Sequence, residues 1–250
     1  MRAVVVLFAL LTPALASAQS EPRIYVSVNG GIQRSDNTVS QSFSVQKNFE
    51  AAPIASNVDE KHGVLFDAGV VYRLARHFGV GFAASVVNDD SDAIVQASIP
   101  HPFFFDRATD PGTVPGVRAI NGATGAKRRE TAAHIEAVYL LPGRRVDLMF
   151  FGGPTLFRAE QTLVTDVTYA ETYPFDTATY TGATTVDSTS DWAAGFHVGA
   201  DLGWKLSRSF GLGAVVRYSR AQAEFNVANN SAIKADVGGI AVGGGVRFAF

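Results

Sequence analysis

From Lys234 to Phe250 the chain alternates with period two: Val242, Val246, Phe248 and Phe250 fall on one side, Gly239, Ala241, Gly243, Gly245 and Arg247 on the other. One row of bulky apolar groups backed by a row of small or charged ones is a β-strand between two different surroundings, because a helical period would mix the two sets. The same alternation recurs upstream. It predicts eight strands, at Ile24 to Ser35, Gly63 to Leu74, Phe78 to Val87, Arg129 to Leu141, Val146 to Gln161, Asp191 to Leu206, Phe210 to Phe225 and Lys234 to Phe250. The 24 Gly, 18 Phe and 7 Tyr against 18% charged residues support an all-β chain, since helices spend few glycines and few aromatics.

The connections alternate in length. Leu74-Ala75-Arg76-His77, Pro142-Gly143-Arg144-Arg145 and Ser207-Arg208-Ser209 are tight turns, whereas residues 36 to 62, 88 to 128 and 162 to 190 are polar and are expected to be long loops, the last a solvated surface with room for strand extension. A partial repeat, Tyr72 to Gly81 against Trp204 to Gly213, sets an aromatic before each turn and Phe just after it. Pro154 inside strand five removes a ladder donor, which predicts a bulge.

Charge concentrates on one face. Val64, Phe66, Val70, Phe82, Ile135, Phe150, Phe196, Val198, Leu202 and Val216 share a face without an ionisable group. The other face carries Asp67, Arg73, Glu136, Asp147, Asp201, Lys205, Arg217 and Arg247, with His134, His197, Asn29 and Gln33. Alternation cannot say which face is inside, but Gly69, Gly79, Gly199, Gly203 and Gly243 lie on the charged face, and small residues belong in a narrow lumen. The bulky rings then face lipid. With no uninterrupted helical span after the N-terminal segment, the expected fold is a closed eight-stranded antiparallel transmembrane β-barrel, the other architecture that satisfies every backbone group in hydrocarbon. Met1-Arg2, the apolar run Ala3 to Leu11 and Ala16-Ser17-Ala18 read as a secretory signal peptide over residues 1–18, leaving 19–250 for the barrel.

Other classes find little support. A chain with no Cys has no disulfide framework, thiolate metal site or lipid-bearing N-terminal Cys, and a net charge of −2 gives no nucleic-acid footprint. No metal-ligand spacing and no cofactor motif is present, so no cofactor is expected. His134 is followed by Ile135-Glu136 and His197 by Val198-Gly199, so no H-x-S-N-like stretch of the lipid A deacylase type occurs, and nothing local marks Ser219 as a nucleophile. An enzyme is not expected.

On the strand pattern, the loop alternation and the Gly-rich run Val237 to Phe250, the chain resembles the eight-stranded outer-membrane β-barrel family, of the OmpA-type transmembrane domain and its small relatives. The resemblance implies a monomer in the outer membrane of a Gram-negative bacterium, set among outer-membrane lipids and lipopolysaccharide. It implies periplasmic chaperones and the barrel-assembly machinery as partners during biogenesis, with Phe248 and Phe250 as the assembly signal. The chain ends at the barrel, so the cell-wall anchoring domain of OmpA itself is not implied.

Eight strands leave an interior that side chains fill, so the eight lumen charges are expected to pair rather than to line a wide pore. The expected role is structural or one of surface interaction. The alternative is a narrow channel or transporter for small or hydrophobic solutes. Phe103, Phe104 and Phe105 stand out in a polar segment, and two readings remain open: a cap on the barrel mouth or dip into the leaflet, and a contact patch for a partner.

Overall fold

The computed structural model describes residues 22–104, 118–227 and 231–250; residues 1–18, expected from the sequence to be a signal peptide, and Phe105 lie outside them. Eight antiparallel strands close in sequence order: β1 (Ile24–Lys47), β2 (Glu50–Arg73), β3 (Phe78–Ile99), β4 (Arg118–Leu141), β5 (Val146–Glu171), β6 (Ala178–Lys205), β7 (Phe210–Val227) and β8 (Ser231–Ala249). The ring is sealed by β1 against β8, from Tyr25↔Ala249 to Arg34↔Ile240. At the short-turn end Phe250 N donates to Ile24 O at 2.9 Å, and Phe250 O accepts from Arg23 N at 2.7 Å and Ile24 N at 3.0 Å. The two repeated hairpins close alike, with Leu74 N and Ala75 N donating to Phe78 O, and Leu206 N and Ser207 N donating to Phe210 O.

In the half nearest these turns the apolar face points outward, as expected: Phe66, Val70, Phe82, Ile135, Phe196, Val198 and Val216 are exposed, while the charged face is inside. Rings gather at the rim, where Phe78 packs edge-on to Tyr139 at 5.3 Å and Phe210 lies 5.6 Å from Phe248. This is the aromatic girdle of a membrane barrel.

The expected long loops are a correction. The strands continue far past the predicted ends, so that residues 36 to 62 form a β1–β2 hairpin turning only at Asn48 and Phe49, and 162 to 190 form a β5–β6 hairpin. The reason is an inversion of polarity. In this outer half the inward residues are apolar, Val39, Ile54, Val95, Ile99, Ile120, Val164 and Val167 forming one buried cluster, and the outward ones are polar. A wall in water must bury its apolar residues inward, whereas a wall in lipid exposes them, and only the second polarity was sought in the sequence.

The ring also opens as it leaves the membrane zone. Pairing of β1 with β8 stops at Arg34↔Ile240, of β4 with β5 at Arg128↔Gln161 and of β6 with β7 at Gly195↔Ala221. Beyond those points a β1–β4 sheet and the β5–β6 hairpin gather around the apolar cluster, while β7–β8 continue as a hairpin. Pro154 makes no bulge: the β4–β5 register is the same at His134↔Thr155 and at Ala137↔Gly152, and only the pairs between them are missing. Pro154 points outward, and the neighbouring Gly153 lets the two backbones close, since a Cβ there would stand 2.1 Å from Ile135 O.

Candidate functional site

Two regions gather chemistry that the bare fold does not require: the lumen and the outermost hairpin tips. In the lumen the alternation of β2, β4, β5, β6, β7 and β8 turns charged side chains toward one another across the barrel. Lys205 Nζ lies 2.8 Å from Asp147 Oδ1 and donates to the Gly143 carbonyl at 3.0 Å. Arg73 is half-buried on the inner side of β2 beside its short turn. Above them Arg247 grips Asp201 with two donors, Nε to Oδ1 at 2.9 Å and Nη2 to Oδ2 at 2.5 Å, while its Nη1 donates to Asn29 Oδ1 at 2.6 Å. Asn29 Nδ2 donates to Asp67 Oδ1 at 2.8 Å, and Asp67 Oδ2 accepts from Arg217 Nη1 at 2.7 Å. Arg217 also faces Glu136 at 3.6 Å and the Phe151 ring at 5.4 Å. Such pairing offsets part of the desolvation cost of each buried ion.

The next layer is a chain of hydroxyl and imidazole side chains. Ser85 Oγ lies 3.1 Å from His134 Nε2, His134 Nδ1 lies 2.9 Å from Thr155 Oγ1, and Thr155 Oγ1 lies 2.8 Å from His197 Nδ1. His197 Nε2 stands 3.7 Å from Glu136, so each histidine reaches across the barrel rather than along its own strand. Above this, Gln33 Nε2 donates to Glu130 Oε2 at 2.7 Å, Arg128 pairs with Glu130 and donates to Ser35 Oγ at 3.0 Å, and Gly238 N donates to Glu130 Oε1 at 3.1 Å. Phe157, Ala132, Ala159, Ala193 and Val237 then fill the bore with hydrocarbon.

Ser85, His134, Thr155 and His197 are all buried. A cavity of about 60 Å³ runs from the short-turn rim, where Ser207, Arg208 and Phe248 line it, up to Asp67, Glu136, Asp201, Arg217 and Arg247. Among the described residues no three His, Asp or Glu side chains stand where they could hold a metal ion. Arg128 and Glu130 escaped the sequence reading, although Glu130 shares the even-numbered phase of His134 and Glu136. Ser85 and Thr155 carried no signal.

At the far end the tips meet. Asn48 Nδ2 donates to Pro100 O at 2.8 Å, tying the β1–β2 turn to the segment after β3, and the buried Arg118 pairs with Glu171 and donates to the Pro100 and Phe175 carbonyls. His101 stacks 4.8 Å from Phe104, Phe103 lies 5.4 Å from Phe175, and Tyr173 lies 6.0 Å from Phe175. Among the described residues, three non-glycine residues hold φ in the left-handed region, Asn48 at 49°, Phe49 at 64° and Phe175 at 70°, and all three are at these tips. Phe103 and Phe104 thus belong to an aromatic crown whose other ring members, Tyr173 and Phe175, come from the β5–β6 turn, with the β1–β2 turn tied beside it through Asn48, which no single sequence segment could announce.

The chain matches the outer membrane protein beta-barrel domain family over residues 3–248, and it belongs to that family. It is an outer-membrane β-barrel protein. In fold it is similar to the outer membrane protein OprG of Pseudomonas aeruginosa (11% identity, 92% of this chain and 97% of that one, TM-score 0.44). It is similar also to Ail, the attachment invasion locus protein of Yersinia pestis (12% identity, 92% and 100%, TM-score 0.38), and to the outer membrane protease OmpT of Escherichia coli (8% identity, 94% and 99%, TM-score 0.42). No curated relative matches it in sequence.

Proposed function

We propose that this protein is a monomeric, sealed barrel that serves as a surface-interaction protein, contacting a partner through the aromatic crown at its extracellular tip. The observation that carries this is Phe49. It occupies the second centre of a two-residue hairpin turn in which both central residues have positive φ, the position where glycine is strongly favoured. A bulky L-residue there costs about 1–2 kcal/mol, and the ring is left 84% exposed to water, so neither turn geometry nor packing accounts for it. Strain held together with an exposed aromatic ring marks contact rather than folding. Tyr173 at 86% and Phe103 at 66% exposure stand with it.

A transport role has one observation in its favour, the outward groove where β1 and β8 part, lined by Arg34, Tyr218, Arg220, Gly239 and Ile240. The filled bore behind it favours the surface role. Cells displaying Phe49→Gly combined with Phe103→Ser and Tyr173→Ser should keep the wild-type amount of folded, heat-modifiable protein. Their adherence to immobilised extracellular proteins and to other cells should drop about tenfold or more, the loss expected when hot-spot rings are removed. Unchanged adherence at equal display would overturn the assignment.

A further inference from the structure

The β2–β3 ladder breaks just past the apolar band. Its pairs run from the short-turn end to Val64↔Asn88 and resume at Val58↔Ala93, leaving residues 59–63 of β2 opposite 89–92 of β3 without pairs across the gap. Below the break Gly63 draws the strands tight, since a Cβ there would stand 2.6 Å from Val87 Cγ1 and 2.8 Å from Asn88 O. At the break the wall opens into a cleft of about 420 Å³, lined by Asp59 and His62 of β2 and by Asp89, Asp90, Ser91 and Asp92 of β3. Neighbouring residues of a strand face opposite sides of its sheet, yet here both sets line one space: Asp90 and Asp92 point outward at the mouth, and Asp89 and Ser91 lie on the inner side. The negative charge of this cleft is not answered. Asp89 is buried, its Oδ1 accepts from Ser91 Oγ at 3.2 Å, and its Oδ2 has no hydrogen-bond partner among the described residues. Arg128, opposite Asp89 in the register, is held by Glu130 and Ser35. Lys127 stands opposite Asp90, and Asp59 accepts from Thr38 Oγ1 at 3.1 Å, so Asp59, Asp89 and Asp92 leave the cleft net acidic.

We infer that this cleft binds a linear polyamine. Asp90 and Asp92, alternate residues of one strand, stand about 7 Å apart, and among the described residues no three acids or histidines converge on one point as a metal ion requires. Carboxylates strung along a cleft suit a cation strung along a chain. Successive ammonium groups, separated by short methylene runs, pair with Asp59, Asp90 and Asp92, and the unpaired charge of Asp89 behind them strengthens the field that holds the chain. The methylenes have a surface to lie on, because Ile94, 52% exposed, and the exposed Ala123 line the same cleft. A hydrated metal ion or a single ammonium would gain nothing from that hydrocarbon.

The test is titration of the detergent-solubilised full chain with spermidine, read by isothermal calorimetry. Asp89→Asn with Asp92→Asn should weaken binding about tenfold or more, the loss expected when charge-assisted contacts are removed, while heat-modifiability stays wild-type. Two comparisons on the wild-type protein need no variant to fold. Methylamine, with one ammonium and no methylene run, should bind at least about tenfold more weakly than spermidine, and equimolar magnesium should fail to displace spermidine. Equal affinity of the double variant, methylamine binding as tight as spermidine, or displacement by equimolar magnesium would each overturn the assignment.

Discussion

Arg217 is the residue on which the lumen turns, since it touches Asp67, Glu136 and the Phe151 ring and lies 3.5 Å from His134. Replacing it with Met strands two carboxylates, and the expected cost is ~3–5 kcal/mol, the penalty for leaving a buried charge uncompensated. Adding Asp67→Asn should recover part of that loss, so that the double variant costs less than the sum of the singles in a lipid-bilayer unfolding assay. Additive losses would contradict the pairing. The charged face was legible residue by residue because parity alone sorts it. Tolerance at its glycines was not. Gly203 and Gly199 share that face, yet a Cβ at Gly203 would meet nothing closer than 3.9 Å, whereas one at Gly199 would stand 2.5 Å from Val216 O.

At the scale of the element, the membrane-zone strands were readable because lipid fixes their polarity, and their extensions were not because water reverses it. Val167 on β5 is fully buried in the outer apolar cluster. Val167→Asp should open that cluster and expose the tips to added protease on intact cells, while the membrane zone inserts normally; resistance equal to wild type would show that the cluster does not hold the extension. The opposite end makes a separate prediction. Phe250 is exposed at the girdle, and its backbone bonds to Arg23 and Ile24 close the ring. We propose that it and Phe248 form the signal read by the assembly machinery. Phe250→Asp should accumulate in the periplasm, and normal outer-membrane insertion would remove that role.

The whole molecule stacks four environments along one axis: paired charges at the short-turn end, a histidine layer, a second polar layer built on Glu130 and Arg128, then hydrocarbon that continues past the apolar band to the aromatic crown. Strand count, closure and the inward charge could be argued from the sequence. The plug and the crown could not, because Phe157, Val237, Phe49 and Phe175 come from distant parts of the chain and acquire meaning only when the barrel brings them together. The central claim is that the bore is sealed and the protein acts at its outer surface. Planar-bilayer recording of the purified wild-type protein tests it most directly: it predicts no steady conductance above that of the bare bilayer, and a large, steady single-channel current would contradict it.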